Sequence, residues 1–199
     1  MSETIDPALA LLEFDSIAVG IEAGDAMAKR APLALLRAGT VHPGRYLVLI
    51  GGEVADVEEA IDAGREAGGG CILDTVFLPH VHPDVVSAIG GRRIDGTGEA
   101  LGVVETPTVA SIIEAADAGL KGANVRLLEL RLADGLGGKG YLLFDGPVAD
   151  VDAAVAIGCE RIAGRSGVLR RVIPQLHPEM RENLAAEARF RGRTRGELA

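Results

Sequence analysis

Few side chains in this sequence are equipped for chemistry, and most of them come in pairs. His42 is one that does not: it sits in Thr40-Val41-His42-Pro43-Gly44-Arg45, a tight loop between two apolar runs. A neutral imidazole is both a metal ligand and a proton acceptor near neutral pH, but a lone loop histidine is usually just a solvated side chain, and both readings are carried forward. Leu132-Ala133-Asp134-Gly135-Leu136-Gly137-Gly138-Lys139 has the residue types of a phosphate cradle. It lacks the Walker spacing and the following Ser or Thr, and reads instead as a flexible loop that tolerates close backbone approach. Cys71 and Cys159 show no C-x-x-C spacing, so neither a zinc knuckle nor a disulfide framework is indicated, and both read as small semi-buried thiols. No Ser-His-Asp arrangement or dinucleotide fingerprint is present, and no enzyme is expected.

The paired residues fall into one register. Glu13 answers to Glu105, Asp25 to Asp117 and Lys29 to Lys121, each 92 positions on. The offset becomes 94 after the loop, where Val54-Ala55-Asp56-Val57 returns as Val148-Ala149-Asp150-Val151. It becomes 95 where Pro79-His80-Val81-His82-Pro83 answers Pro174-Gln175-Leu176-His177-Pro178. The chain is therefore a tandem duplication. A strand carboxylate kept in both copies reads as a bonded structural group, and the repeated His-Pro as a structural turn. The two loops are the part of the repeat that differs, and function is sought there.

The elements that position them follow from periodicity. Residues 9–14 and 101–106 read as strands. Ile17, Ile21, Gly24 and Ala28, matched by Val109, Ile113, Ala116 and Leu120, recur at helical spacing behind Ser16 or Asp15 and Thr108 as caps. Residues 33–38 and 125–132, then 45–51 and 139–145, form hairpins around the loops. Second helices start near Glu53 and Pro147, with an acid and a proline suited to a first turn. Strands at 72–78 and 167–173 close each unit. Strand, helix, strand, strand, helix, strand is the order of an α+β, ferredoxin-like split βαβ unit with helices packed on one face of an antiparallel sheet. The expected layout is a first domain over 8–90, a linker over 91–100, a second domain over 101–184, and a polar tail over 185–199. Arg189, Arg191, Arg193 and Arg195 make that tail basic; it reads as a solvated terminus or as a segment docking on an acidic neighbour.

The chain's 199 residues carry 20 Lys and Arg against 29 Asp and Glu, a formal charge of -9. That balance argues against nucleic acid or an anionic membrane as partner. The acidity reads as shared between the halves. With 3% aromatics, no Trp and 27 Gly, the core must be aliphatic and its backbones close. The start lacks the features of a signal peptide, and no apolar run is long enough for a bilayer span, so the expected location is the cytoplasm.

Leu101-Gly102-Val103-Val104-Glu105-Thr106, Glu114-Ala115-Ala116-Asp117-Ala118-Gly119-Leu120-Lys121-Gly122-Ala123-Asn124-Val125 and Val172-Ile173-Pro174-Gln175-Leu176-His177 resemble bacterial microcompartment shell proteins. Asp25-Ala26-Met27-Ala28-Lys29-Arg30-Ala31-Pro32 and Leu78-Pro79-His80-Val81-His82 repeat the pattern in the first half. The chain looks like the tandem-domain class, and is most similar there to the iron-sulfur type of propanediol-utilising compartments. The resemblance implies a homotrimer that imitates a hexamer, lies in a shell in the bacterial cytoplasm beside other hexameric and pentameric shell tiles, and passes small metabolites through a central pore. It implies that Val41, His42, Pro43, Gly44, Asp134, Gly135, Leu136 and Gly137 line that pore. Lys29, Lys121, His80 and Gln175 would make tile-edge contacts, the last two standing where an arginine is usual. In the iron-sulfur type, three loop cysteines hold a cluster on the threefold axis, and His42 stands at that position here. No cofactor is expected; three converging imidazoles could still hold a metal ion, or act as a pH-dependent filter.

Overall fold

Strand β1 (Ala8–Phe14) is buried at every residue, because each of its faces meets a different partner. The computed structural model describes residues 8–186. After β1 come α1 (Ile17–Arg30), β2 (Leu35–Val41), β3 (Arg45–Gly52), α2 (Val54–Gly68), a 3-10 turn at Gly69–Cys71, β4 (Ile72–Leu78) and α3 (Pro83–Ile89). The second half repeats this with β5 (Ala100–Thr106), α4 (Val109–Gly122), β6 (Arg126–Leu132), β7 (Gly140–Gly146), α5 (Val148–Arg161), β8 (Leu169–Pro174) and α6 (Pro178–Ala185). Each half builds a four-stranded antiparallel sheet, in the orders β2-β3-β1-β4 and β6-β7-β5-β8. The α+β class and the two tandem split βαβ units are as the sequence implied.

Local chemistry sets the boundaries, and corrects several of them. Ser16 caps α1, its hydroxyl accepting from Val19 N at 3.4 Å. Thr108 holds the corresponding position, but its hydroxyl is drawn into the other half of the chain. Glu53 and Pro147 are N-caps rather than first helical residues, since both keep an extended backbone with ψ of 146° and 148°. Strand β2 runs on through Thr40 and Val41, which pair with Tyr46 and Arg45 and leave only His42, Pro43 and Gly44 as the turn. The His-Pro turns are helix starts: His82 and His177 cap α3 and α6, their Nδ1 atoms accepting from Asp84 N at 3.2 Å and Glu179 N at 3.3 Å. Pro83 and Pro178 follow at the first helical position, where a missing N–H costs nothing.

One face of β1 supplies Ala10, Leu12 and Phe14 to the first half's own core, with Val48 and Ile50 beneath Ala23, Met27, Val57 and Ile61 of α1 and α2. The other face supplies Leu9 and Leu11, which join Val76, Leu78 and Val85 in one cluster with Val109, Ile112 and Ile113 of α4. Helix α4 therefore lies between two sheets. Its counterpart α1 does not, and the stripe of Ile17, Ile21 and Ala28 expected to face the sheet points outward instead. The residues that α1 turns to its sheet are Gly20, Ala23, Gly24 and Met27. Gly20 has no room for a Cβ, which would stand 2.7 Å from the Tyr46 ring.

The linker is built into the second half. Ile94 N donates to Leu128 O at 3.1 Å, and Gly98 N to both carboxylate oxygens of buried Asp145 at 3.0 and 2.9 Å. Nor is charge shared evenly: residues 1–90 hold 14 acidic and 5 basic side chains, residues 91–199 hold 15 of each. The whole deficit lies in the first half. The expected basic tail falls at Arg189 to Arg195, outside the described residues.

Candidate functional site

The seam between the halves is built on Glu13, whose side chain is wholly buried. Its Oε2 accepts from Val109 N, the first residue of α4, at 2.8 Å. A carboxylate there satisfies an orphan amide and faces the positive end of the helix. Its Oε1 accepts from Arg45 Nη1 at 2.7 Å, and the same guanidinium reaches the carbonyls of Pro107 at 3.0 Å and Gly138 at 3.3 Å. Burial pushes the Glu13 carboxyl above its usual range, against the pull of these donors. In the second copy Glu105 accepts from Lys139 at 2.8 Å, with Lys139 57% exposed.

Arg45 ties this seam to the loops. His42, Pro43 and Gly44 cap the β2–β3 hairpin, all three exposed, with Gly44 N donating to Val41 O at 3.0 Å. Gly44 has φ of 98°, a left-handed setting that favours glycine. Val41 is half-buried at the end of its strand. The second loop starts at buried Ala133, whose N donates to Lys139 O at 3.0 Å, and carries Gly135, Gly137 and Gly138 at positive φ. Asp134, Gly135 and Gly137 are exposed and Leu136 half-buried. The two loops touch: a Cβ on Gly138 would stand 3.1 Å from Pro43 Cδ and 2.8 Å from Arg45 Nη1. So the structure brings the divergent loops of the two copies side by side, one presenting an imidazole and the other a carboxylate.

The duplicated polar residues lie elsewhere. Lys121 donates to Asp117 Oδ2 within α4 and, across the seam, to the His80 carbonyl, while Asp117 Oδ1 accepts across the seam from His82 N at 2.8 Å. Lys29 pairs with Asp25 at 2.5 Å on an open surface. His80 and Gln175 are exposed.

A second polar cluster crosses the seam near β4. Asp74 Oδ2 accepts from Thr108 Oγ1 at 2.5 Å and Ser111 Oγ at 2.6 Å. Arg165 donates from Nε to Asp74 Oδ1 at 3.0 Å, from Nη1 to Glu114 Oε2 at 2.5 Å, and from Nη2 to Thr75 O at 2.9 Å. Burial lowers the Arg165 pKa, but Glu114 and Asp74 outweigh it and hold the guanidinium above its ordinary value. Sequence reasoning missed Arg45, Asp74, Glu114 and Arg165. For Asp74 and Arg165 the available signal was disagreement between the copies, since Leu169 stands where Asp74 does and Gly70 where Arg165 does.

A cysteine-ligated cluster does not fit these loops, which offer one imidazole and one carboxylate per chain. Cys71 ends the 3-10 turn before β4, and Cys159 lies in α5, where burial pushes its thiol up despite Arg170 beside it. Among the described residues, no group of three or more His, Cys, Asp or Glu is placed to hold a metal ion within one chain. No helix among them is long and apolar enough to cross a membrane.

Two copies of one α+β unit, locked by a polar seam, with glycine-rich loops of unlike sequence brought together, define a tandem shell-domain architecture. The BMC domain family matches residues 8–81 and again residues 100–176, and the chain belongs to that family of bacterial microcompartment shell proteins. More particularly, it is 43% identical over 175 residues to the bacterial microcompartment shell protein PduT of Citrobacter freundii, covering 87% of this chain and 95% of that one. A crystal structure of a microcompartment protein from Desulfitobacterium hafniense DCB superposes with a TM-score of 0.76 at 41% identity, covering 88% of this chain and 98% of the other. The major carboxysome shell protein CsoS1A of Halothiobacillus neapolitanus is 40% identical over 99 residues, which are 47% of this chain and 95% of that protein. Members of the family are generally structural and non-enzymatic.

Proposed function

We propose that three copies of this chain join head to tail into a ring of six domains, a pseudohexameric tile of a microcompartment shell in the bacterial cytoplasm. The observation that carries this is the contrast between duplicated surfaces. Val109, Ile113, Leu78 and Val85 lie in the internal seam and are 0% to 6% exposed. Their counterparts Ile17, Ile21, Ile173 and Met180 lie on the outer flanks and are 38% to 54% exposed. Each flank thus repeats one side of a seam already closed within the chain, and such a heterologous contact closes into a ring when its rotation permits. Because each is already about half-buried, covering the rest of these four side chains is worth roughly half of the 1.5–3 kcal/mol for full burial, about 1 kcal/mol each before association costs.

In that ring Val41, His42, Pro43 and Gly44 alternate with Asp134, Gly135, Leu136 and Gly137 around a central opening for small metabolites. The tile acts by selective passage and needs no resident cofactor. Lys29 and Lys121, with His80 and Gln175, contact neighbouring hexameric and pentameric tiles; neither nucleic acid nor membrane is a partner. Sedimentation at micromolar concentration should give a species three times the 20.6 kDa chain. Only monomer, with no sheets or shells on co-expression with single-domain shell proteins, would overturn the reading.

The exposure of His42 at its turn supports a second reading, in which three imidazoles and an open position hold a transition metal at the axis. Elemental analysis and an anaerobic visible spectrum test it, and His42→Ala should empty the site while leaving the trimer intact. Absence of both metal and charge-transfer bands from the purified wild type would remove it.

A further inference from the structure

The seam inside the chain carries a charge lock whose parts are rearranged on the outer flanks. Within the seam, Glu114 on α4 accepts from Arg161 Nε at 2.8 Å and Arg165 Nη1 at 2.5 Å, and Arg165 also reaches Asp74 and the Thr75 carbonyl on β4. Glu114 therefore sits one guanidinium away from β4, with the cations supplied from its own half. Facing this helix, β4 contributes Val76, 2% exposed.

On the flank formed by α1, Glu22 stands where Glu114 does, but the positions of Arg161 and Arg165 are held by Ala67 and Gly70, neither of them charged. Glu22 is exposed, and no ion pair among the described residues includes it. On the flank formed by β8, Arg171 stands where β4 has Val76. Its guanidinium donates to the Arg170 carbonyl at 2.7 Å, and no carboxylate pairs with it among the described residues. The cation has moved from the helix side of the seam to the strand side. A second exchange accompanies it: Asp74 bonded to Ser111 becomes Leu169 opposite Val19, polar on both sides in one seam and apolar on both in the other. Leu169 is 59% exposed on the isolated chain.

We propose that the flanks recognise a second copy of this chain through a Glu22–Arg171 ion pair flanked by Leu169 on Val19, a pairing that the internal seam cannot substitute. This rests on the head-to-tail reading above. It also specifies against the wrong register, because an α1 flank set on β4 would leave Asp74 buried against Val19 with neither Ser111 nor Arg165 to bond it.

The test uses Glu22→Arg, Arg171→Glu and the double exchange in the full chain, by sedimentation velocity over a concentration series at low and high salt. Both residues are exposed, and melting of the dilute chains should match wild type. Each single change sets like charges face to face and should raise the concentration for half-assembly at least about tenfold. The double exchange should bring it back to within about threefold, and salt should weaken the wild-type association. If wild type forms trimers but the single changes leave them intact, or the double exchange is no better than the singles, the pairing is wrong while the tile reading stands. If wild type stays monomeric under all conditions, both fall together.

Discussion

Replacing Glu13 by Gln tests whether the seam is held as described, because the amide keeps the shape and removes the charge. Glu13 is fully buried and bonded on both oxygens, to Val109 N at 2.8 Å and Arg45 Nη1 at 2.7 Å. A glutamine oxygen can keep one of these donors, and its NH2 group then confronts the other. A lost hydrogen bond to a charged group is worth about 1.5–3 kcal/mol, and a buried donor left facing a donor costs about 1–3 kcal/mol more. Arg45 retains the carbonyls of Pro107 and Gly138, so its guanidinium is not stranded, and the lower part of the combined range applies. A loss of about 3 kcal/mol at 2–4 °C per kcal/mol lowers the melting temperature by roughly 6–12 °C. The assay is thermal melting by circular dichroism, at a protein concentration low enough to keep the chains apart. Glu105→Gln is the matched control. Its side chain is 36% exposed and its Lys139 partner 57% exposed, so in the isolated chain it should cost under about 0.5 kcal/mol. At higher concentration that variant should associate less well, since Glu105 is the outer counterpart of Glu13. Equal losses for the two variants in the dilute chain, or less than about 1 kcal/mol for Glu13→Gln, would refute the assignment of the buried seam to Glu13.

Three further outcomes are expected. Arg165→Ala removes the cation shared by Asp74 and Glu114, and urea unfolding should show a loss of about 2–4 kcal/mol, near the lower end of what breaking a buried pair costs because Arg161 still serves Glu114. Gly158→Ala drives a Cβ to 2.7 Å from the Ala115 carbonyl oxygen, where α4 and α5 meet backbone to backbone; it should cost about 1–3 kcal/mol in the same measurement. Burial and the Glu129 carboxylate push the Tyr141 phenol from 10.0 up to about 12. The folded chain thus keeps a proton that the unfolded chain releases, and the stability from this group is present below pH about 10 and lost as pH rises to about 12. Tyr141→Phe should abolish that part of the alkaline slope in melting temperature, and the late tyrosinate absorbance step should disappear with it.

Much of the fold was legible because duplication shows each element twice. The order of the eight strands and of α1, α2, α4 and α5, the hairpins and a bonded role for Glu13 follow from residues that recur in register; α3 and α6, read only as His-Pro turns, do not. What escaped has a common cause. The stripe of Ile17 and Ile21 has the period of a buried face, and period says only that a helix has such a face, not whether its partner lies in the same chain. Asp74, Glu114 and Arg165 meet across separations of 40 to 91 residues, with no repeat to announce them. Thr40 and Val41 fall in the stretch read as loop, although both are β-branched residues that suit a strand; cross-strand pairing with Tyr46 and Arg45 places them in β2. The contact of Gly138 with Pro43 needs both halves folded together, and neither loop alone encodes it.

The internal seam also bears on assembly kinetics. Because one seam is formed in every folding event, its effective concentration is that of a tethered pair and does not change on dilution. In the proposed six-domain ring, half of the contacts are then first order in chain, and the three that remain need only two bimolecular encounters, the last contact closing within the ring. A ring of six separate domains needs five such encounters, and every partial ring along its path has two open ends to misjoin. For the proposed ring, tethering would therefore shift the concentration at which rings nucleate, and it would fix the order in which the His42 and Asp134 loops alternate before any two chains meet.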